Sequence, residues 1–304
     1  MRISPPVVFA AGPTWAAVLG SWRFDPLVVA STILAGFLYL RAVRRVWRGR
    51  GRSAFPRGRA ICFVGGLAAV LLSMESPIHT YSGLLLSVHM AQHLVLTMVA
   101  APLLVLGTPV TLALEATSSR TRRRLLLPVL HSRTVRVVGS PVFGWAAFAV
   151  VMWGAHSPSV YDAALRSEGV HTLEHAAFLG SALLFWWPVA GLDPNPARLS
   201  HPGRLLYLFL AMPVMAILGL AIYSSDRLLY PHYAVASALI GVSPVADQHL
   251  AGALMWEGGM LVMVVALAAV LLDWMRRDER EAERVDARLA RDPGARAVGE
   301  QAST

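Results

Sequence analysis

The sequence predicts an all-α protein, a polytopic membrane helix bundle with about seven transmembrane helices. Three observations support this fold class. Of the 304 residues, 56% are hydrophobic and only 15% are charged, and the mean hydropathy is +0.54. Apolar stretches of about 18 residues or more, long enough for a membrane-spanning helix, recur along the chain. Arginines concentrate in alternate connections between these stretches, as expected of a chain that crosses a membrane repeatedly.

Read in order, the chain contains seven candidate spans. The second and fourth are short, whereas the third opens on a pair of histidines. Pro102 and Pro213 fall inside the third and sixth spans, where membrane helices tolerate proline because neighbouring groups satisfy the freed backbone. The predicted spans cover residues 26–46, 59–75, 83–107, 139–155, 169–190, 204–224 and 247–274.

The arginine distribution predicts the orientation. The first, third and fifth connections and the C-terminal tail carry most arginines, so they are assigned to the cytoplasm and the N-terminus to the outside. We therefore predict an extracytoplasmic segment over 1–24, a transmembrane domain over 25–275 and a charged cytoplasmic tail over 276–304, all in the cell membrane. The charged sequence of the tail predicts a surface helix, followed by about ten disordered residues. Residues 5–22 give weak support to a cleaved signal peptide.

The net charge of +9 is explained by these topology-setting arginines, so the predicted partner is the lipid bilayer and not nucleic acid. The only cysteine, Cys62, lies in an apolar run. A disulfide framework and a cysteine-based metal site are therefore excluded within one chain.

Histidines cluster on the predicted outer side. Eight of the ten fall there, including two pairs spaced four residues apart, His89 with His93 and His171 with His175. This spacing places both rings of a pair on one helix face, about 6 Å apart along the axis. Imidazole binds copper, zinc, iron and nickel, and the methionine thioethers on the same side add a preference for Cu(I). The pattern predicts an outward-facing metal site.

Glu174 follows His171 by three residues and so shares its face, where it can orient an imidazole or ligate a metal itself. The segment HTLEH also matches the H-x-x-E-H pattern of zinc hydrolases. That pattern has only three fixed residues and needs a third ligand, for which Asp247 or His249 is available. Because nothing in the sequence indicates a substrate groove, we predict that the protein is not an enzyme.

Three segments together make the chain resemble the multi-spanning CtaG family of cytochrome c oxidase assembly factors over most of residues 25–275. These segments are HMAQHLVLTMVAAPLLVLGTP, HTLEHAAFLGSALLFWWPV and DQHLAGALMWEGGM. The resemblance implies a seven-span protein that acts in maturation of haem–copper oxidases, with oxidase subunits as partners and copper as the metal. It implicates the residues His89, Gln92, His93, His171, Glu174, His175, Asp247, Gln248 and Trp256. His249 adjoins the third motif and is added as a candidate ligand because of its outer position.

The resulting expectation is a copper site between the third, fifth and seventh spans that passes copper to an oxidase subunit. Loading should weaken as pH falls, because protonated imidazoles do not bind metal. Three alternatives stay open. Facing histidines can ligate haem; Glu174, Asp247 and Glu257 can line an ion path through a metal transporter; and the protein can serve as an oxidase assembly scaffold without metal.

Overall fold

The structure, a computed structural model, describes residues 15–195 and 197–289, which are helical with no strand among them. Residues 1–14, which include the first part of the predicted signal peptide, and residues 290–304, which end the predicted tail, lie outside the described residues. Seven long helices are labelled here α1 (Pro26–Arg50), α2 (Arg57–Glu75), α3 (Leu86–Leu94, continued by Val95–Ala100 and Ala101–Leu106), α4 (Pro141–Ala155), α5 (Glu168–Ala190), α6 (His201–Tyr223) and α7 (Pro244–Ala253, continued by Leu254–Gly258 and Gly259–Leu289).

A helix occupies each of the seven predicted spans, but in the described part of the chain five helices are both long and apolar enough to cross a membrane. They are α1, α2, α3 with the adjoining helix Pro109–Ala116, α6 and α7. α4 is apolar but has 15 residues. α5 has 23 residues but carries polar groups, among them His171, Glu174 and His175. The protein is thus a multi-pass membrane protein, whereas the count of seven spans stays a prediction.

Several helices begin at a polar cap followed by proline. Before α1, the Asp25 carboxylate accepts hydrogen bonds from the backbone N–H groups of Leu27 (2.7 Å) and Val28 (3.3 Å), and Pro26 follows it. Before α4, the Ser140 hydroxyl accepts from the N–H of Phe143 (3.2 Å). Such side chains satisfy N–H groups that lack a helical partner, and proline is tolerated in the first turn because it has no N–H to lose.

Small residues allow the helices to pack closely. A Cβ on Gly144 of α4 would lie 2.6 Å from the Leu184 carbonyl oxygen of α5, and one on Gly219 of α6 would lie 2.9 Å from the Trp256 nitrogen of α7. Helix pairs in membranes associate through such close contacts, because the bilayer supplies little hydrophobic driving force between helices. The main buried core accordingly lies among α3 to α7, and a smaller one joins α1 and α2.

π-Helical segments interrupt two of the three helices that carry the sequence motifs. In α3 the segment Val95–Ala100 directly precedes Ala101–Leu106, in which Pro102 lacks a backbone donor. The wider turn frees carbonyl groups, and the Thr97 carbonyl accepts a hydrogen bond from Trp186 Nε1 (2.8 Å). In α7 the segment is Leu254–Gly258. Such segments often occur at functional sites.

Short helices cover the end of the bundle at which α3 and α5 begin. Pro77–Ser82 precedes α3, Pro158–Arg166 precedes α5, and His232–Ala236 follows α6. Tyr161 and Tyr233 from two of these helices reach His89 in α3. At the opposite end, α7 continues without a break to Leu289, so the predicted surface helix of the tail is an extension of the last long helix.

Candidate metal site

The two histidine pairs meet at the covered end of the bundle. His89 and His93 project from α3, His171 and His175 project from α5, and His79 joins them from the short helix Pro77–Ser82. The centroids of the contacting rings lie 4.2–6.4 Å apart. Five imidazoles from three helices therefore form one cluster, which we call the histidine cluster.

Two overlapping groups in this cluster have ligand atoms close enough for one ion. The atoms of His89, His93 and His175 lie within 4.8 Å of one another, and so do those of His89, His171 and Glu174. His89 belongs to both groups. Neutral imidazoles and a carboxylate are ordinary ligands of copper and zinc, so the residues present fit a transition-metal ion.

Several polar atoms in the cluster are buried and have no hydrogen-bond partner within the described ranges. They are His93 Nδ1, His175 Nε2 and both carboxylate oxygens of Glu174. An unpaired carboxylate away from water is strongly destabilising unless it is protonated or meets a cation. Each of the two groups is therefore suited to a positive ion, because an ion bound by the first would satisfy a buried imidazole nitrogen and one bound by the second would satisfy the Glu174 carboxylate.

Neighbouring polar groups fix the orientation of two of the rings. The Tyr233 hydroxyl donates to the Ser82 carbonyl oxygen (2.9 Å) and lies 3.2 Å from His89 Nδ1. His89 Nδ1 can then donate its proton to the Tyr233 oxygen, which leaves His89 Nε2 with a lone pair. Such outer hydrogen bonds commonly select the tautomer of a metal-binding histidine.

Gln92 acts in the same way on His79. Its Nε2 donates to the Ser73 backbone carbonyl oxygen (3.0 Å) and to His79 Nδ1 (3.1 Å), while the Ser73 hydroxyl donates to the Gln92 backbone carbonyl oxygen (3.0 Å). These bonds join α2 to α3 and leave the His79 proton on Nε2. Burial lowers the pKa of His79 below its ordinary value, which favours the neutral ring. Gln92 thus positions His79, and a role for Gln92 itself as a metal ligand stays a prediction.

The third motif lies beside the cluster and makes different contacts. The Asp247 carboxylate accepts hydrogen bonds from the Leu86 N–H (2.6 Å) and from the Ser87 hydroxyl, and so caps the start of α3. Gln248 Oε1 accepts a hydrogen bond from the Leu229 N–H (2.8 Å), and His249 Nε2 lies 3.3 Å from the Ser225 carbonyl oxygen. Neither Asp247 nor His249 belongs to the two groups of ligand atoms described above.

A cavity of about 410 Å³ leads to the cluster. His79, His89, His171 and His175 line it, together with the charged residues Arg23, Asp25, Glu75 and Glu168. Glu257, which is exposed on α7, does not line this cavity. The cavity thus brings three carboxylates and one guanidinium to the space beside the imidazoles.

The sequence left some residues of the site without an assigned role. His79 shared the predicted outer side with the two pairs but had no motif, and only the folding of Pro77–Ser82 onto α3 brings it to the cluster. Tyr161 and Tyr233 lie in short helices outside the three sequence motifs, so the sequence assigned them no role. Their hydroxyl groups lie 3.0 Å apart beside His89.

Comparison with known proteins identifies the family. The profile of the family described as cytochrome c oxidase caa3 assembly factor matches residues 37–277. Uncharacterised proteins of Mycobacterium bovis and Mycobacterium tuberculosis are each 34% identical over 281 residues, which is 90% of this chain and 42% of theirs. One of Mycobacterium leprae is 32% identical over 272 residues, 87% of this chain and 41% of its own.

The chain thus spans about two fifths of the length of these curated relatives. No solved structure matches it. The resemblance read from the three sequence segments is confirmed by the family profile, which covers the helices that carry all three. The chain belongs to the Caa3_CtaG family of cytochrome c oxidase caa3 assembly factors.

Proposed function

We propose that this protein binds a copper ion in the histidine cluster and delivers it to a subunit of a cytochrome c oxidase during assembly. The observation that carries the proposal is a set of buried acceptors around His89 that have no hydrogen-bond partner in the described part of the chain, namely His175 Nε2 in one group and both oxygens of Glu174 in the other. These atoms are costly to bury alone, and a cation offsets that cost. Copper is the cargo in this proposal, and family membership supplies the oxidase as recipient.

The ligand chemistry favours transient copper binding. Imidazole binds copper well, and the cluster contains no thiolate, since Cys62 lies on α2 and is the only cysteine of the chain. Thiolates oxidise outside the cytoplasm, whereas imidazoles do not. Between His89 and His93 the Nε2 atoms lie 3.1 Å apart, which leaves no space for a porphyrin plane between these two rings. His89 and His93 therefore cannot supply both axial ligands of one haem, whereas they can share one copper ion.

The proposal is tested by copper stoichiometry. Detergent-purified protein is loaded with Cu(I) under reducing conditions and desalted, and copper is measured per chain. The double variants His89→Ala/His93→Ala and His171→Ala/His175→Ala should both lose bound copper, because each removes ligands of both groups. His131→Ala is the matched control, since His131 is exposed and bonds only the Leu127 carbonyl oxygen.

Weak copper binding that neither double variant changes would reject the proposal in favour of an assembly scaffold without metal.

Delivery needs a separate test in cells. Deletion of the gene should lower oxidase activity, and added copper should restore part of it. An oxidase defect that copper leaves unchanged speaks against delivery. Metal uptake into proteoliposomes separates a transporter from a protein that holds copper at one face.

We further propose that the chain crosses the cell membrane seven times, with the histidine cluster on the extracytoplasmic side. α4 and α5 contact each other along their length and join the core formed with α3 and α6, so they occupy the same layer as the spanning helices. Most arginines lie in the first, third and fifth connections and in the tail, which supports an orientation with these segments in the cytoplasm and the histidine cluster outside.

Cysteine labelling tests this topology. In a Cys62→Ser background, Ser159→Cys lies at the cluster end and Thr134→Cys lies in the arginine-rich connection before α4, and both positions are exposed. A membrane-impermeant maleimide added to intact cells should label Ser159→Cys and spare Thr134→Cys. The reverse pattern would place the cluster in the cytoplasm.

A further inference from the structure

We propose a second Cu(I) position, deeper than the histidine cluster, formed by Met90 Sδ, His156 Nε2 and His93 Nδ1. It rests on the proposed function, since it requires that copper reaches the cluster. It adds a thioether ligand and a histidine that lies just after α4, outside both groups described above.

The contact between His156 and Met90 is the first observation. His156 Nδ1 lies 2.6 Å from the Met152 carbonyl oxygen, so Nδ1 carries the single proton of the neutral ring. His156 Nε2 therefore presents a lone pair, and it lies 3.3 Å from Met90 Sδ, which has no proton either. Two electron donors thus face each other in a buried place without a hydrogen between them.

The separation of these two atoms suits a shared ion. With metal–ligand distances of about 2.1 Å to nitrogen and about 2.3 Å to sulfur, a 3.3 Å spacing corresponds to a ligand–metal–ligand angle of about 100°. This angle is close to tetrahedral. A cation beside the pair would therefore replace an unfavourable contact with two ordinary ligand bonds, without a large movement of either side chain.

His93 supplies the third donor and the connection to the cluster. When His93 Nε2–H donates to His89 Nε2 across their 3.1 Å contact, His93 Nδ1 is left as a bare lone pair. That atom is buried and has no partner among the residues described, and the His93 ring lies 6.2 Å from the His156 ring. His93 can thus serve the cluster through Nε2 or the deeper position through Nδ1.

Transfer between the two positions needs no redox step. Copper remains Cu(I), and His93 stays neutral throughout. The bond from copper to His93 Nε2 breaks and the bond to His93 Nδ1 forms. The Nδ1 proton leaves to a water molecule that enters with the ion, and Nε2 takes up a proton from water, so the ring exchanges tautomers with no net gain or loss of protons. Only one position is filled at a time, because a neutral imidazole has one free lone pair.

The surroundings make the deeper position selective for Cu(I). Met90, His93 and His156 are buried and do not line the cavity, whereas His89 and His175 do. Phe178 packs against the His93 ring with centroids 4.2 Å apart. A thioether with two imidazoles in an apolar enclosure prefers the soft Cu(I) ion over harder divalent ions. Copper would therefore enter at the imidazoles and be retained beside the sulfur.

X-ray absorption at the copper edge tests the proposal directly. The full-length protein is purified in detergent and loaded without oxygen with one equivalent of Cu(I). Wild type should show a sulfur neighbour at about 2.3 Å. Met90→Leu, which keeps side-chain volume, should lose this neighbour and retain copper through nitrogen alone. Met152→Leu is the matched control and should keep the sulfur signal, because His156 contacts only the Met152 backbone carbonyl.

The outcomes separate the two proposals. Bound copper with nitrogen neighbours only in wild type overturns the deeper position and leaves the cluster proposal intact. A sulfur neighbour that persists in Met90→Leu overturns the assignment of Met90. Failure of the folded wild-type protein to bind Cu(I) overturns both proposals. His156→Gln is a second variant, expected to lose the sulfur signal as Met90→Leu does, and a thermal unfolding curve in detergent shows that each variant is folded.

Discussion

Replacing Asp247 distinguishes a structural role from a ligand role for the third motif. Asp247 lies on α7, is 3% exposed and caps the start of α3, far from it in sequence. Its carboxylate accepts from the Leu86 N–H at 2.6 Å and from the Ser87 hydroxyl, with a longer 3.4 Å contact to the Ser87 N–H. Asp247→Ala removes this acceptor and leaves buried donors at the entry to the helix that carries His89 and His93.

The expected loss of stability follows from these contacts. Loss of an N-cap costs about 0.5–2 kcal/mol, and each buried donor left unsatisfied costs about 1–3 kcal/mol. With Leu86 N–H and the Ser87 hydroxyl both affected, Asp247→Ala should lower the free energy of unfolding by about 3–5 kcal/mol. Asp247→Asn keeps one oxygen acceptor, so it should lose about 1–2 kcal/mol, the contribution of the charge.

The free energy of unfolding is measured by SDS titration of protein in mixed micelles, and copper loading is measured on the same samples. Asp226→Ala is the control, because Asp226 is exposed in the connection between α6 and α7. If Asp247 is a cap, Asp247→Asn remains folded and keeps its copper. Refutation would be a stability loss below about 1 kcal/mol in Asp247→Ala together with loss of copper in Asp247→Asn, which is the behaviour of a ligand.

Three further predictions follow from the same structure. Gly144→Val should lower the free energy of unfolding by more than about 2 kcal/mol, because even its Cβ would lie 2.6 Å from the Leu184 carbonyl oxygen. SDS titration measures this loss, and an unchanged unfolding midpoint would contradict the close packing of α4 on α5. Glu174→Gln should weaken copper affinity by about 10–100-fold in a competition titration with a Cu(I) chelator, and equal affinity would remove Glu174 from the site. Tyr233→Phe should weaken affinity by up to about tenfold through loss of the oxygen that faces His89 Nδ1, whereas exposed Tyr223→Phe should not.

Local patterns in the sequence predicted the helices well. Apolar runs predicted the positions of α1, α4 and α6, and the structure shows that each of these helices begins at an Asp or Ser cap with proline in its first turn. The π-helical segments were not predicted, because they depend on contacts such as that of Thr97 with Trp186. The tail was predicted as a separate surface helix because the sequence changes there from apolar to charged residues. In the structure the helix continues through this change, so the tail extends α7.

The sequence by itself determined the fold class, the family and the two histidine pairs, because the four-residue spacing fixes a shared helix face before any tertiary contact exists. Only the tertiary structure decided which residues meet. It joins the pairs of α3 and α5 into one cluster, adds His79, and uses Asp247 as the cap of α3. It also places His156 against Met90. Side-chain chemistry is encoded locally, whereas the distance between residues remote in sequence is set by helix packing and by the hydrogen bonds that each buried polar group finds.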